Sequence, residues 1–348
     1  MAVIVREIKQ AVELLALLRA NTARYPFLLQ SVAHGRYDIL FACPGDSLVL
    51  RPDGVLQQPD GTPVASVDFL DGLDAWWRHL ADEPAADIDL PFTGGWFLYL
   101  GYELAGQIEP TLQLAHADPD LPVAFATRCA TALVHDRDRD AVLVVGEPGS
   151  EADMAVIEAD IEDLAGAGAP VRQDIQAREI TEQPDRDYLD AVRRIKDYIV
   201  EGDIFQVNLS RLWQLHLAAA AKPHELHENL CYHNPAPFSG LAHWQDAAIV
   251  SSSPERLVKV RNGVVETRPI AGTRPRSPSS REDVAWSEVL LAHPKERAEH
   301  IMLIDLERND LGRLCVPGSI EVNEFMVLES YAHVHHIVSN VRGRLRGD

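Results

Sequence analysis

Three groups of residues in this 348-residue chain carry the types and spacing that chemistry needs. The first surrounds two short β-type runs, 257–260 and 264–267, joined by Asn262-Gly263. Asn-Gly between such runs is among the strongest local signals for a hairpin. The ends of a hairpin lie side by side. Glu255, just before it, should therefore meet the small-residue loop just after it, Pro269-Ile270-Ala271-Gly272-Thr273, which is flanked by Arg268, Arg274 and Arg276. An acid, a hydroxyl and a loop that lets backbone come close would then share one spot. The second group is on a predicted helix over 295–311, where Met302, Leu303 and Leu306 fall three, four and seven residues after Glu299. That spacing puts a carboxylate on an apolar stripe, where it is costly unless paired or bound to a metal. A salt bridge to Arg308 or Arg256 would satisfy it, and so would a hard cation, most simply Mg²⁺. The third group is 332–339, a predicted strand. Alternation places His333 and His335 on one face and His336 on the other with Val334 and Val338. The first two lack a third zinc ligand at a telling spacing. His336 reads equally as a satisfied core residue or as a proton donor and acceptor.

The elements that must position these groups follow from periodicity and turn chemistry. A strand and an amphipathic helix open the chain, short β-type runs between Gly, Pro and Asp turns follow to residue 54, and 68–83 reads as a helix. A buried strand is predicted after Gly94-Gly95, and two more over 124–136 and 140–146. The weakly patterned stretch 148–185, with a helix at its start, divides an N-terminal half, 1–172, from a second half, 173–348. A helix over 185–203 puts Tyr188, Val192, Ile195 and Ile199 on one face, and the period then turns strand-like through 203–210. Hairpins and helices without a run of βαβ units predict an α+β fold with antiparallel sheets.

Bulk properties narrow the function. With 53 Asp and Glu against 32 Lys and Arg the formal net charge is −21, which excludes broad, sequence-independent nucleic-acid binding. Anionic ligands must be met by locally placed arginines or a metal. The four cysteines are scattered with no CxxC pair and read as buried free thiols in a reducing compartment. No apolar run reaches the ~20 residues of a membrane span, so a cytoplasmic protein is expected.

At EGDIFQVNLSR (201–211), SSSPERL (251–257), ETRPIAGTRPR (266–276), KERAEHIMLIDLERNDLGRLCVPGSI (295–320) and HVHHIVSNVRGRL (333–345) the sequence resembles the chorismate-utilising enzymes. These include anthranilate synthase component I, aminodeoxychorismate synthase component I and, more distantly, isochorismate and salicylate synthases. The resemblance implies two large antiparallel sheets packed together with helices outside. It also implies Mg²⁺ as cofactor, Glu299 as metal ligand, Glu255 as catalytic carboxylate and His336 as active-site histidine. Gly272 and Thr273, with Ala271, would form the substrate loop. Chorismate would be the substrate, and ammonia would come from a separate glutamine amidotransferase subunit. Ala271 stands where typical aminodeoxychorismate synthases carry a ring-attacking lysine, and alanine is the usual anthranilate synthase residue. Against that, Arg36-Tyr37-Asp38-Ile39-Leu40 with Pro44, and Gln206-Val207-Asn208-Leu209, resemble aminodeoxychorismate synthase, some of whose members carry the alanine. Aminodeoxychorismate synthase component I is the reading adopted, with anthranilate synthase component I as the alternative. Family members hold an amino acid, often tryptophan, near the segment matching Leu28-Leu29-Gln30-Ser31, so a non-catalytic amino-acid-binding protein is a further reading. The family continues past the histidine strand into further substrate and metal residues, so this chain by itself is expected not to turn chorismate over.

Overall fold

In the computed structural model, which describes residues 3–33, 35–57, 62–63, 68–80, 88–112, 114, 120–165 and 172–347, the run read as one strand over 124–136 is two. The chain leaves one sheet at Cys129 and enters another at Thr131. Ala124–Cys129 pairs with Ser47–Leu50 and Gly95–Leu100 in a four-stranded sheet edged by Leu56–Gln57. Thr131–Asp136 pairs with Tyr37–Ala42 and Ala141–Gly146 in a seven-stranded sheet. Ile4–Ile8 forms one edge of that larger sheet. Phe27–Gln30, Phe238–Trp244 and Ala247–Ser253 complete the other side. Every strand pairing among the described residues is antiparallel. The halves expected on either side of residue 172 thus share one sheet.

Side-chain alternation then builds the layers. Phe27, Phe41 and Ala242 of the larger sheet meet Val49, Phe97 and Phe125 of the smaller one, with Phe27 stacked on Phe97 at 4.1 Å between ring centroids. The opposite face of the larger sheet buries Leu28, Leu40, Leu133 and Val144 against helices Leu14–Ala20 and Glu151–Asp163. The smaller sheet's outer face holds Phe69 and Trp76 of helix Phe69–Leu80. Two packed antiparallel sheets with outer helices are as expected. Gly95–Leu100 is less enclosed than its composition suggested, with Phe97 buried and Leu98 and Leu100 open.

A third, five-stranded sheet carries the motifs. Its order is Lys259–Arg261, Val264–Thr267, Val334–Arg344, Ile270–Pro275, with Glu321–Ser330 on the other side of Val334–Arg344. Helices Ser280–Ala292 and Pro294–Gly312 lie against it, burying Leu290 on Met326 and Ile337, and Ile304 and Leu311 on Val265 and Val341. Helix Asp185–Glu201 forms where periodicity placed it and stops at Gly202, whose φ of 83° only glycine adopts readily. None of its side chains is buried among the described residues. The strand-like stretch 203–210 is not a strand; pairing begins at Trp213–Leu217, which joins Ala177–Glu182 in a separate two-stranded ribbon. All four cysteines are free, Cys129 and Cys315 buried, and burial pushes the Cys129 thiol up to about 12. No helix among the described residues is long and apolar enough to cross a membrane.

Candidate functional site

The Asn262-Gly263 turn forms as read, with φ of 51° and 71° at the two residues, the left-handed pair that a tight hairpin requires. Past the hairpin, Ile270 pairs with Val338 and Thr273 with His336, so one extra residue is accommodated between them. That bulge is Ala271-Gly272. Gly272 has a φ of +87°, and a Cβ there would come within 3.2 Å of Leu290 Cδ1 and 3.3 Å of Glu296 Cβ. Only glycine fits both conditions. Ala271 beside it is buried. The bulge aims Thr273 at the neighbouring strand, where Thr273 Oγ1 and His336 Nδ1 are 2.9 Å apart.

Glu255 reaches the same loop from its other end. Its Oε1 accepts the Ile270 N–H at 3.0 Å, so the predicted convergence of the hairpin's two ends is made by a direct hydrogen bond. Surrounding protein raises the Glu255 carboxyl above the ordinary range, and Glu307 raises it further. His336 is buried, and desolvation lowers its imidazole below the usual value. Glu255 also lines a cleft of about 510 Å³ with Arg256, Arg268, Glu329 and Tyr331. Arg256 pairs with Glu266 at 3.0 Å and Arg268 with Glu329 at 2.6 Å, and the Tyr331 hydroxyl donates to Glu329. The Tyr331 ring lies 5.7 Å from that of His336, which joins the histidine to the cleft's wall.

The helix Pro294–Gly312 buries a different stripe from the one read. His300, Ile304 and Leu311 face the sheet, whereas Leu306 is open to solvent. Glu299 is therefore half-buried at the flank of the interface, where Gln206 Nε2 donates to its Oε1 at 3.3 Å. Neither expected salt bridge forms, because Arg308 pairs with Asp305 and Arg256 with Glu266. Glu296, one turn earlier, was missed by sequence reading. It packs on Gly272 and pairs with Arg274 at 3.1 Å, and its spacing of three from Glu299 was the available signal. Also missed was the clamp that seats this helix. Met326 N donates to Ser339 Oγ at 2.9 Å, and that hydroxyl lies 2.7 Å from His300 Nε2 in a fully buried position. Glu299 and Gln206 make a small donor set, and no group of three or more His, Cys, Asp or Glu among the described residues is arranged to hold a metal ion. Such a set fits a cation that takes one or two carboxylates and keeps water and substrate oxygens, the habit of Mg²⁺, and not an ion caged by protein. His333 and His335 have separate partners, the His233 carbonyl and Asp283, so they do not act as a metal pair.

A second cavity, about 760 Å³, opens beside the Leu28–Ser31 segment. Gln30 Oε1 lies 2.9 Å from the fully buried His227, and Asp38, held by Arg137 at 2.8 Å, lines the same space.

A family model described as chorismate binding enzyme matches residues 27–348. The chain is 34% identical to aminodeoxychorismate synthase component 1 of Bacillus subtilis, over 94% of this chain and 71% of that protein. It is 38% identical to anthranilate synthase component 1 of Pseudomonas aeruginosa, with the same two shares covered. Among solved structures, anthranilate synthase component I from Streptococcus pneumoniae superposes with a TM-score of 0.76 at 28% identity, over 91% of this chain and 70% of that one.

Proposed function

Because the chain belongs to the family of chorismate binding enzymes, we propose that it is component I of an aminodeoxychorismate synthase, converting chorismate and ammonia to 4-amino-4-deoxychorismate. The observation that carries this reading is the meeting of Glu255 and the Thr273–His336 pair around a loop whose position 271 is a buried alanine. Without a lysine amine at 271, no covalent ring adduct forms there. Ammonia takes that role, adding at ring C2 as the C4 hydroxyl departs as water, to give 2-amino-2-deoxyisochorismate. A second ammonia then attacks C4 and expels the first. The net reaction is one ammonia in and one water out. Glu255, its carboxyl raised, protonates the leaving hydroxyl and then serves as the base for incoming ammonium. His336, held neutral by burial and oriented by Thr273, exchanges protons at the ring face. Glu299, with Gln206 beside it, would hold Mg²⁺, which supplies charge compensation for the ring carboxylate that this acidic chain otherwise lacks. A glutamine amidotransferase subunit supplies the ammonia, consistent with the component 1 names of the relatives.

Product identification after incubating the full-length protein with chorismate, Mg²⁺ and ammonium tests the reading, with calorimetric chorismate binding to the present chain as a readout independent of turnover. Aminodeoxychorismate, with the 2-amino intermediate in quenched samples, is the expected product. Anthranilate and pyruvate would instead make the chain an anthranilate synthase component I, and absence of both binding and product would remove the catalytic reading. The cavity beside Gln30 supports a second reading, an amino-acid-binding half. Calorimetry with tryptophan separates it from the first.

A further inference from the structure

The cleft that Glu255 lines has a second hydroxyl on its wall, Ser330. Ser330 and His335 face each other across the hairpin that joins Glu321–Ser330 to Val334–Arg344. Ser330 Oγ is 2.7 Å from His335 Nδ1, and His335 Nε2 is 3.0 Å from Asp283 Oδ1. The direction of these bonds follows from charge. Asp283 is gripped by Arg276 through two bonds of 2.9 and 3.0 Å and by the Ser277 N–H at 2.9 Å, which holds its carboxyl far below the ordinary range. It is therefore an acceptor only. Nε2 of His335 therefore carries a proton, and in the neutral tautomer Nδ1 presents a lone pair to the Ser330 hydroxyl. The ring is 3% exposed and fixed at both nitrogens. A hydroxyl on a cleft wall, a base within reach of its proton and a carboxylate orienting the base are the parts of an activated nucleophile.

We propose that Ser330, with His335 as its base and Asp283 as the positioning residue, is a nucleophilic site that cleaves small carboxylic esters with acidic leaving alcohols in this cleft. The Ser330 Oγ–carbonyl carbon bond forms as its proton passes to His335 Nδ1. The bond to the leaving oxygen then breaks, and that oxygen takes the proton. Water, deprotonated by the same nitrogen, attacks the acyl carbon and restores the serine, so no oxidant or cofactor enters the balance. Its readout is separable from chorismate turnover, because none of the three residues belongs to the Glu255, Thr273 and His336 group, although Ser330 opens on the cleft that Glu255 lines.

The test is reaction of the full chain with p-nitrophenyl acetate and with a fluorophosphonate probe, followed by peptide mass mapping. The expected result is a single adduct at Ser330, formed at a rate that depends on pH. His335→Gln should slow acylation about a hundredfold or more, the usual contribution of a general base. Asp283→Asn should shift the pH profile as well as lower the rate. Mapping on the unsubstituted chain decides the matter even if a variant fails to fold. No adduct, an adduct spread over other residues, or labelling at an unchanged rate in folded His335→Gln would overturn the proposal and leave the three residues as a brace between the Ser280–Ala292 helix and the hairpin.

Discussion

Replacing Thr273 by valine keeps the shape of the side chain and removes the hydroxyl that meets His336 Nδ1 at 2.9 Å. A net hydrogen bond is worth about 0.5–1.5 kcal/mol, and stranding a buried polar nitrogen costs about 1–3 kcal/mol. His336 is buried, but Thr273 is on the open side of the strand, so water can reach the vacated position. The loss should therefore lie at the low end, about 1 kcal/mol, measured by denaturant unfolding with serine at 273 as the control that keeps the hydroxyl. The chemical effect should exceed the stability effect. An imidazole free to rotate no longer presents a fixed nitrogen, so chorismate turnover by the full-length protein should fall tenfold or more, by the general arithmetic of about 1.4 kcal/mol per decade, while chorismate binding changes little. Valine and serine variants equal in both stability and turnover would refute the argument that this hydroxyl fixes the ring.

Two further outcomes follow from the geometry. Gly272→Ala meets both a φ of +87° and contacts of 3.2 and 3.3 Å, so unfolding experiments should show a loss of about 2–4 kcal/mol, combining left-handed strain with overpacking, and chorismate binding should weaken with it. His227 is fully buried, and desolvation holds its imidazole down at about 4. Its folded value lies below the unfolded one, so its contribution to stability is whole above pH ~6.5 and is lost as pH falls through about 4. The gap corresponds to about 3 kcal/mol. Stability measured from pH 7 to pH 4 should decline less steeply in His227→Gln than in the parent, and equal slopes would contradict the assignment.

What could be read from sequence divides by range. The Asn262-Gly263 hairpin, the ends of helix Pro294–Gly312 and the convergence of Glu255 with the 270–273 loop depend on local turn chemistry, and each appears where it was read. The Glu299 stripe was misread because apolar residues wrap around that helix. Ile301 and Leu306 are open to solvent, and the buried stripe includes His300, which is satisfied by Ser339. A polar residue that is inside because of a partner 39 positions away carries no periodic signal. The same holds for the change of sheet at Ala130, since nothing local distinguishes a strand that continues from one that crosses to another layer. Glu296 was legible only as a spacing, and its contact with Gly272 needed the helix to be docked first.

The larger sheet also sets a timetable. Leu28 pairs with Leu241, and the last strand of that sheet ends at Ser253, so during synthesis this segment waits for more than two hundred residues before its neighbour exists. Phe27 and Leu28, both buried in the finished molecule, spend that interval uncovered on one side. Pairings this distant along the chain form slowly. A nascent chain of this protein is accordingly a client for any factor that shields apolar strands during synthesis, and its yield in cells should respond to the rate of translation through the codons for residues 28–253.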